Sequence, residues 1–143
     1  MSNFFKNYPI VDATREDALA YVSILFSIAA CDELDSKEAQ SIRLLVENNE
    51  WDLKIFEEAK NNKNFSLDTI SLSSILIEVG APYLLRDLCA IAYLSNGFSD
   101  NEEFKINLVR EKLGVSIDLY LKIKKSVISH IESIKIWSEV ISV

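Results

Sequence analysis

The chain is organised around the stretch Ala29-Ala30-Cys31-Asp32-Glu33-Leu34-Asp35-Ser36-Lys37-Glu38, where an almost wholly apolar run gives way to a charged amphipathic run. A second stretch with the same layout, Tyr93-Leu94-Ser95-Asn96-Gly97-Phe98-Ser99-Asp100-Asn101-Glu102, follows 64 positions later, counted from Asp32 to Asn96. Each stretch is typical of a joint between two helices, because a Glu three residues after Asp35 or Ser99 completes a capping box. The recurrence predicts a fold built from two related halves.

Composition favours a helical domain of ordinary size. The 143 residues are 49% hydrophobic, which is enough apolar material to bury one core. Only three glycines and two prolines occur, so long regular elements are favoured over many tight turns. We therefore predict a single all-α domain over residues 1–143, a bundle of about seven to eight helices.

Helical spacing and capping signals locate these elements. Predicted helices cover about 14–31, 35–48, 51–60, 66–79 with Ser66 or Asp68 as its cap, 82–94 and 99–113, and a last region, 116–143, fits one helix or two. Apolar residues surround the whole circumference of the first helix, which must therefore be central. Tyr120, Val127, Ile131 and Trp137 share one face of the last region. Its apolar end is either packed in the core or in contact with a partner.

The internal repeat divides the domain. Residues 1–13 form a lead-in, the repeated halves cover about 14–60 and 81–125, and residues 126–143 form a C-terminal helical extension. A shift of 64 positions aligns Glu38 with Glu102 and many apolar positions at helical spacing. Two such halves are expected to pack about a pseudo-two-fold axis, which brings the two acidic turns close together.

An apolar helix ending in Ala-x-Asp-Gly, a short turn and a helix with an early Glu, present twice, resembles the tellurite-resistance TerB-like family. The same domain type occurs at the C-terminal side of some membrane-anchored DnaJ proteins. Residues 29–33 and 92–97 carry the motif, and the resemblance covers roughly 15–125. It implies a pseudo-two-fold helical bundle, clustered acidic residues that hold a metal ion, and a role in tellurite resistance, stress response or a membrane-associated complex. Glu33 stands in place of the turn glycine, and Asn96 in place of the aspartate.

Carried over residue by residue, the resemblance implies a metal site with ligands from both turns. Oxygen ligands of this kind suit Ca²⁺ or Mg²⁺. The resemblance gives Asp32, Glu38, Asn96 and Glu102 as ligands. Asp35 is a further candidate ligand if the two halves pack as expected. Each acidic residue also has a purely structural interpretation: Glu38 and Glu102 fit as capping-box partners, and Asp32 fits as a solvated turn residue.

The net charge, the cysteines, the histidine and a lysine cluster restrict the possible functions. A net charge of −7 disfavours nucleic acid as a partner. Cys31 and Cys89 lie in separate apolar runs and are expected to be free buried thiols. His130 lacks a nearby catalytic pattern and is expected to be structural or exposed. Lys122, Lys124 and Lys125 form a basic cluster that fits a solvated face, an acidic partner or a membrane surface.

Together these signals predict a non-enzymatic protein with no catalytic residues. The N-terminus does not look like a signal peptide and no apolar run is long enough to span a membrane, so we expect a cytoplasmic protein. The leading hypothesis is a TerB-like protein of a stress-response or tellurite-resistance system that binds a divalent cation. The alternative is a metal-free protein-interaction or scaffold module that uses an apolar helical surface, with homodimerisation through the C-terminal helix as one form of it.

Overall fold

Six α-helices and no strand make up the part of the chain that this computed structural model describes, namely residues 14–29, 36–62, 65, 66, 72, 77, 80–96 and 98–142. The predicted all-α helical bundle is therefore confirmed as a fold class. The helices are α1 (Arg15–Ala29), α2 (Ser36–Asn48), α3 (Leu53–Asn61), α4 (Ala81–Asn96), α5 (Asp100–Leu113) and α6 (Ile117–Ile141).

The described residues contain six helices, against the seven to eight predicted for the whole chain. The C-terminal region is a single helix, α6, because Ser116 caps its start and neither glycine nor proline interrupts it before Ile141. The predicted helix at 66–79 falls on a segment of which only Ser66, Leu72 and Ile77 are described, so that prediction lies outside the described residues. The lead-in at 1–13 lies outside them as well.

Helices α1 and α4 form the centre of the bundle. Helix α1 contacts α2, α3, α4 and α5, and α4 contacts α1, α2, α5 and α6. Every residue from Tyr21 to Phe26 is buried, which confirms the central position predicted for the first helix. Such all-round burial requires neighbours on nearly every side of the helix. The apolar residues of the flanking helices complete the core, including Ile42, Leu45, Phe56, Ile106, Val109, Tyr120 and Ile131.

Side-chain caps fix where several helices begin. Thr14 Oγ1 accepts a hydrogen bond from the Asp17 amide at 3.1 Å, and Ser116 Oγ accepts one from the Leu119 amide at 3.2 Å. Both caps lie at the helix starts that the sequence predicted, at about residues 14 and 116. Helix α3 begins at Leu53 rather than at Trp51, because Asp52 is its N-cap and accepts from the Lys54 amide.

Helices α2 and α5 end in the same hydrogen-bonded motif. After α2, the Glu50 amide donates to the Glu47 carbonyl and the Trp51 amide to the Val46 carbonyl, at 3.0 and 3.1 Å. This pair of bonds is a Schellman motif, which needs a residue in the left-handed conformation. Glu50 has a φ of 57°.

After α5, the Gly114 amide donates to the Glu111 carbonyl at 3.1 Å and the Val115 amide to the Arg110 carbonyl at 3.2 Å. Gly114 has a φ of 72° and ends the helix as the sequence predicted. Glycine adopts this conformation at no steric cost, whereas Glu50 in the equivalent place has a Cβ.

Several large apolar side chains on the helices are exposed. Leu53 lies at the first position of α3, Phe104 on α5 is 66% exposed, and Trp137 on α6 is 63% exposed. The prediction that Trp137 shares a face with Tyr120 and Ile131 is wrong, because Trp137 follows Ile131 by six residues, about 240° around the helix, and so lies away from the buried face. In the described residues no helix is both long enough and apolar enough to cross a membrane.

Candidate functional site

The two acidic turns are only partly within the described residues. Asp32 and Asp35 lie outside them, and Asn96 is the last residue of α4. Glu38 is buried near the start of α2, and Glu102 is buried near the start of α5. In the described part of the chain, no group of three or more His, Cys, Asp or Glu side chains converges as metal ligands would. The five-residue cation site therefore stays a prediction.

Glu102 has a structural role that the sequence predicted. Its Oε1 accepts a hydrogen bond from the Ser99 amide at 3.0 Å, and Ser99 Oγ accepts one from the Glu102 amide at 3.1 Å. The two residues thus form a complete capping box at the start of α5. The corresponding capping box was predicted between Asp35 and Glu38. Asp35 is not among the described residues, so this box stays a prediction.

A buried carboxylate that sequence reasoning missed lies between the two central helices. Asp87 on α4 has no exposed surface, and its Oδ2 accepts a hydrogen bond from the Tyr21 hydroxyl on α1. Arg86 Nε donates to Asp87 Oδ1 at 3.1 Å and its guanidinium lies over the Tyr83 ring, 5.2 Å from the centroid. The signal was present as a single Arg-Asp pair within an apolar run, since a buried charge requires partners.

Burial dominates the ionisation of Asp87. Desolvation raises the pKa of this carboxyl from 3.8 to about 6, while the Arg86 charge and the Tyr21 hydrogen bond act in the opposite direction. The carboxylate is sealed inside the α1–α4 interface. Asp87 therefore links α4 to α1 through the Tyr21 hydroxyl, and when ionised it offsets part of the positive charge of Arg86.

A second polar cluster joins α5 and α6. The Tyr120 hydroxyl donates to Glu103 Oε1 at 3.2 Å, and Lys124 Nζ lies 3.0 Å from both oxygens of that carboxylate. Lys124 also lies over the Phe98 ring at 4.4 Å. Cys89 is a free and buried thiol, as predicted, and burial raises its pKa to about 12. A thiol that stays protonated at neutral pH is a poor nucleophile. The other cysteine, Cys31, lies outside the described residues.

An open groove separates the N-terminal half of α4 from the middle of α6. It has a volume of about 600 Å³, within the range of ligand-binding clefts. Val127, which is buried, and Ile123 contribute apolar surface. The remaining lining residues are Pro82, Tyr83, Arg86, Lys122, Ser126 and His130. His130 is exposed, in agreement with the sequence-based expectation.

The C-terminal end of α6 is exposed. The Tyr93 hydroxyl donates to Glu132 Oε1, and Lys135 Nζ lies 5.4 Å from the centroid of the Tyr93 ring. Beyond Lys135 every described residue of α6 is exposed. We call the four large apolar side chains of this segment the α6 tip: Ile136, Trp137, Val140 and Ile141.

Comparison of the chain with protein-family models, with curated proteins and with solved structures finds no significant match. The candidate sites are therefore interpreted from their own geometry. The α4–α6 groove and the α6 tip are accessible, whereas Asp87 and Cys89 have no exposed surface.

Proposed function

We propose that this chain is a non-enzymatic protein-interaction module whose contact surface is the α6 tip. One observation carries the proposal: Ile136, Trp137, Val140 and Ile141 are each about 60% exposed on two consecutive helical turns. Exposed apolar groups that cluster in this way mark interaction sites, and tryptophan is enriched among residues that dominate binding.

Helical spacing places the four side chains of the α6 tip on one side of the helix. Trp137 and Ile141 are four residues apart, as are Ile136 and Val140, and neighbours at this spacing lie one above the other. The occupant of this surface is either a second copy of the chain or another protein. Sedimentation equilibrium distinguishes them, because a concentration-dependent dimer that Trp137→Asp disrupts identifies the homodimer through the C-terminal helix.

A pull-down from cells that produce the chain tests the proposal. The wild type is compared with Trp137→Asp and Ile141→Asp, and with Phe104→Asp as a matched control on α5. All three side chains are largely exposed, so the substitutions are expected to change the free energy of unfolding by about 0.5 kcal/mol or less.

Partners that survive chelation, are lost on both α6 substitutions and persist with Phe104→Asp are the expected result. Partners that are unaffected by the α6 substitutions, or equally lost with the control, would count against the α6 tip.

The repeated half-domains support a second, finer proposal, that the bundle is a duplicated TerB-like unit. Helices α2 and α5 start 64 positions apart, at Ser36 and Asp100. Their left-handed terminating residues, Glu50 and Gly114, have the same separation, as do the N-caps that follow, Asp52 and Ser116. The central helices also have related neighbours: α1 packs on α2 and α3, and α4 packs on α5 and α6. The constant separation of 64 positions between equivalent helix starts, helix ends and caps supports two duplicated halves related by a pseudo-two-fold axis.

The TerB-like interpretation includes a divalent cation at the acidic turns and a cytoplasmic stress-response or tellurite-resistance role. It is favoured by the equivalent buried carboxylates Glu38 and Glu102. Calorimetry with Ca²⁺, Mg²⁺, Mn²⁺ and Zn²⁺ tests the cation, and Asp32→Asn is the variant expected to abolish the heat. The absence of both heat and a thermal shift at millimolar metal would contradict the cation site and leave the α6 tip unaffected.

A further inference from the structure

The α4–α6 groove is basic in an acidic protein. Three of its eight lining residues, Arg86, Lys122 and His130, are cationic or become so on protonation, and none of the eight is acidic. The whole chain has a net charge of −7. Asp87 lies behind Arg86 and offsets part of its charge, but it is fully buried and does not line the groove. Even when Asp87 is ionised and paired with Arg86, Lys122 gives the groove a positive charge that attracts carboxylates.

The groove has the polar and apolar groups that would bind an organic anion. Tyr83 and Ile123 offer apolar surface, and Ser126 adds a hydroxyl beside the basic groups. Arg86 is held in place by its hydrogen bond to Asp87 and by the Tyr83 ring. A guanidinium fixed in this way loses little conformational entropy when a carboxylate binds to it.

The groove and the α6 tip lie on the same side of α6. Ser126, His130, Ser133, Trp137 and Ile141 follow one another at spacings of four, three, four and four residues, which is the spacing of one helix face. The first two line the groove and the last two belong to the tip. At 1.5 Å per residue, Lys122 and Ile141 are separated by roughly 28 Å along the helix axis.

We propose that the groove and the α6 tip form one docking strip for a peptide segment of a partner protein, with carboxylate side chains bound in the groove and apolar side chains on the tip. The inference rests on the proposed interaction function and names the partner's chemistry. An extended segment of about eight residues covers roughly 28 Å. A small organic anion fills only the groove and leaves Trp137 exposed.

The charges around the α6 tip favour a peptide over a lipid surface. Glu132 and Glu139 flank the tip, against one cation, Lys135. A helix that lies on an anionic membrane carries an excess of Lys and Arg around its apolar face. Anionic vesicles are therefore included in the test as a competing occupant.

The probe is a displayed library of random 12-residue peptides selected on the purified full chain. The tightest selected peptide is then labelled and measured by fluorescence anisotropy. Its affinity is compared between the wild type, Lys122→Glu in the groove, Trp137→Asp in the tip, and Lys125→Glu. Lys125 is the matched control, because it is an exposed lysine of α6 that does not line the groove.

Selected peptides that combine Asp or Glu with apolar residues are expected. Lys122→Glu should weaken binding by about tenfold or more, whereas Lys125→Glu should change it by less than about threefold at 0.15 M salt. Trp137→Asp should also weaken binding by about tenfold or more, since it removes the apolar anchor.

Other outcomes would overturn the proposal and separate it from the interaction function. Selected peptides without carboxylates, or equal effects of Lys122→Glu and Lys125→Glu on affinity, would contradict the groove as a binding site for carboxylates. If Trp137→Asp still weakens binding in that case, the interaction function of the α6 tip stands. If Lys122→Glu and Trp137→Asp both bind the peptide as tightly as the wild type does, or if no peptide is selected at all, the docking strip and the interaction function are both contradicted. Binding to vesicles with 20% phosphatidylserine that depends on Lys122, without selection of acidic peptides, would replace the peptide by a lipid surface.

Discussion

Substitution of the buried carboxylate, Asp87→Asn, is expected to change how stability depends on pH. Burial raises the pKa of Asp87 from 3.8 to about 6, so the folded state prefers the protonated carboxyl. Each pKa unit corresponds to about 1.4 kcal/mol, so keeping the ionised form in the folded protein costs about 3 kcal/mol relative to the unfolded chain.

The sign of the effect is opposite to that of an exposed, ion-paired aspartate. Between pH 4 and pH 6 the folded protein holds a proton on Asp87 that the unfolded chain has lost. Stability therefore includes the full contribution of this group below about pH 4 and loses it as the pH rises through 6. The Asp87→Asn variant lacks the titrating group and lacks this dependence.

The assay is urea unfolding, followed by far-ultraviolet circular dichroism, of the wild type and Asp87→Asn from pH 4 to pH 7.5. We expect the free energy of unfolding of the wild type to fall, relative to the variant, by about 3 kcal/mol over this range. A difference that is constant with pH, or that rises with pH, would refute the reasoning. It would mean that the Tyr21 hydrogen bond and the Arg86 charge outweigh burial.

Four other substitutions test the hydrogen bonds and the helix ends of the fold. Tyr21→Phe removes the hydroxyl that donates to Asp87 and should lower stability by about 1.5–3 kcal/mol at pH 7 and by less at pH 4; an equal loss at both would contradict the charged hydrogen bond. Glu50→Gly should raise the free energy of unfolding by about 1 kcal/mol, whereas Gly114→Ala should lower it by a similar amount, because a Cβ at Gly114 meets nothing within 4 Å and only backbone strain remains. The same sign for both would show that the two motifs are not equivalent. Ser99→Ala should cost about 1 kcal/mol by loss of the capping box in thermal unfolding, and no change would contradict its role.

Local signals in the sequence were sufficient to predict the helical class and several helix ends. A capping box needs only Ser99 and Glu102, three residues apart, and a left-handed helix end at Gly114 needs only one glycine. The same kind of reasoning could not find the left-handed residue at Glu50, because a glutamate carries no composition signal for that conformation. The matching position in the second half, Gly114, was the available clue.

The features that depend on distant parts of the chain could not be predicted. Asp87 and Tyr21 are 66 positions apart, and the apolar pattern around Asp87 shows that the helix is buried without showing which side chain meets the carboxylate. The groove joins Arg86 on α4 to His130 on α6. Only the packing of the two helices brings these cations together.

Helical periodicity also cannot show where a bundle ends. Trp137 follows Ile134 by three residues and so continues the apolar pattern of α6, but beyond Lys135 every described residue of this helix is exposed. Whether an apolar face is a core or an interaction surface is decided by the neighbouring elements. The period of the pattern is the same in both cases.

Photo-crosslinking at the α6 tip tests the interaction function most directly. A benzoylphenylalanine replaces Trp137 in one variant and Phe104 in a second, in the cells that naturally produce the chain. Both positions are about 65% exposed, so they offer similar access to a crosslinking partner. An interaction module predicts a discrete crosslinked product at position 137 that is absent at position 104. No product at position 137, or the same products at both positions, would contradict it.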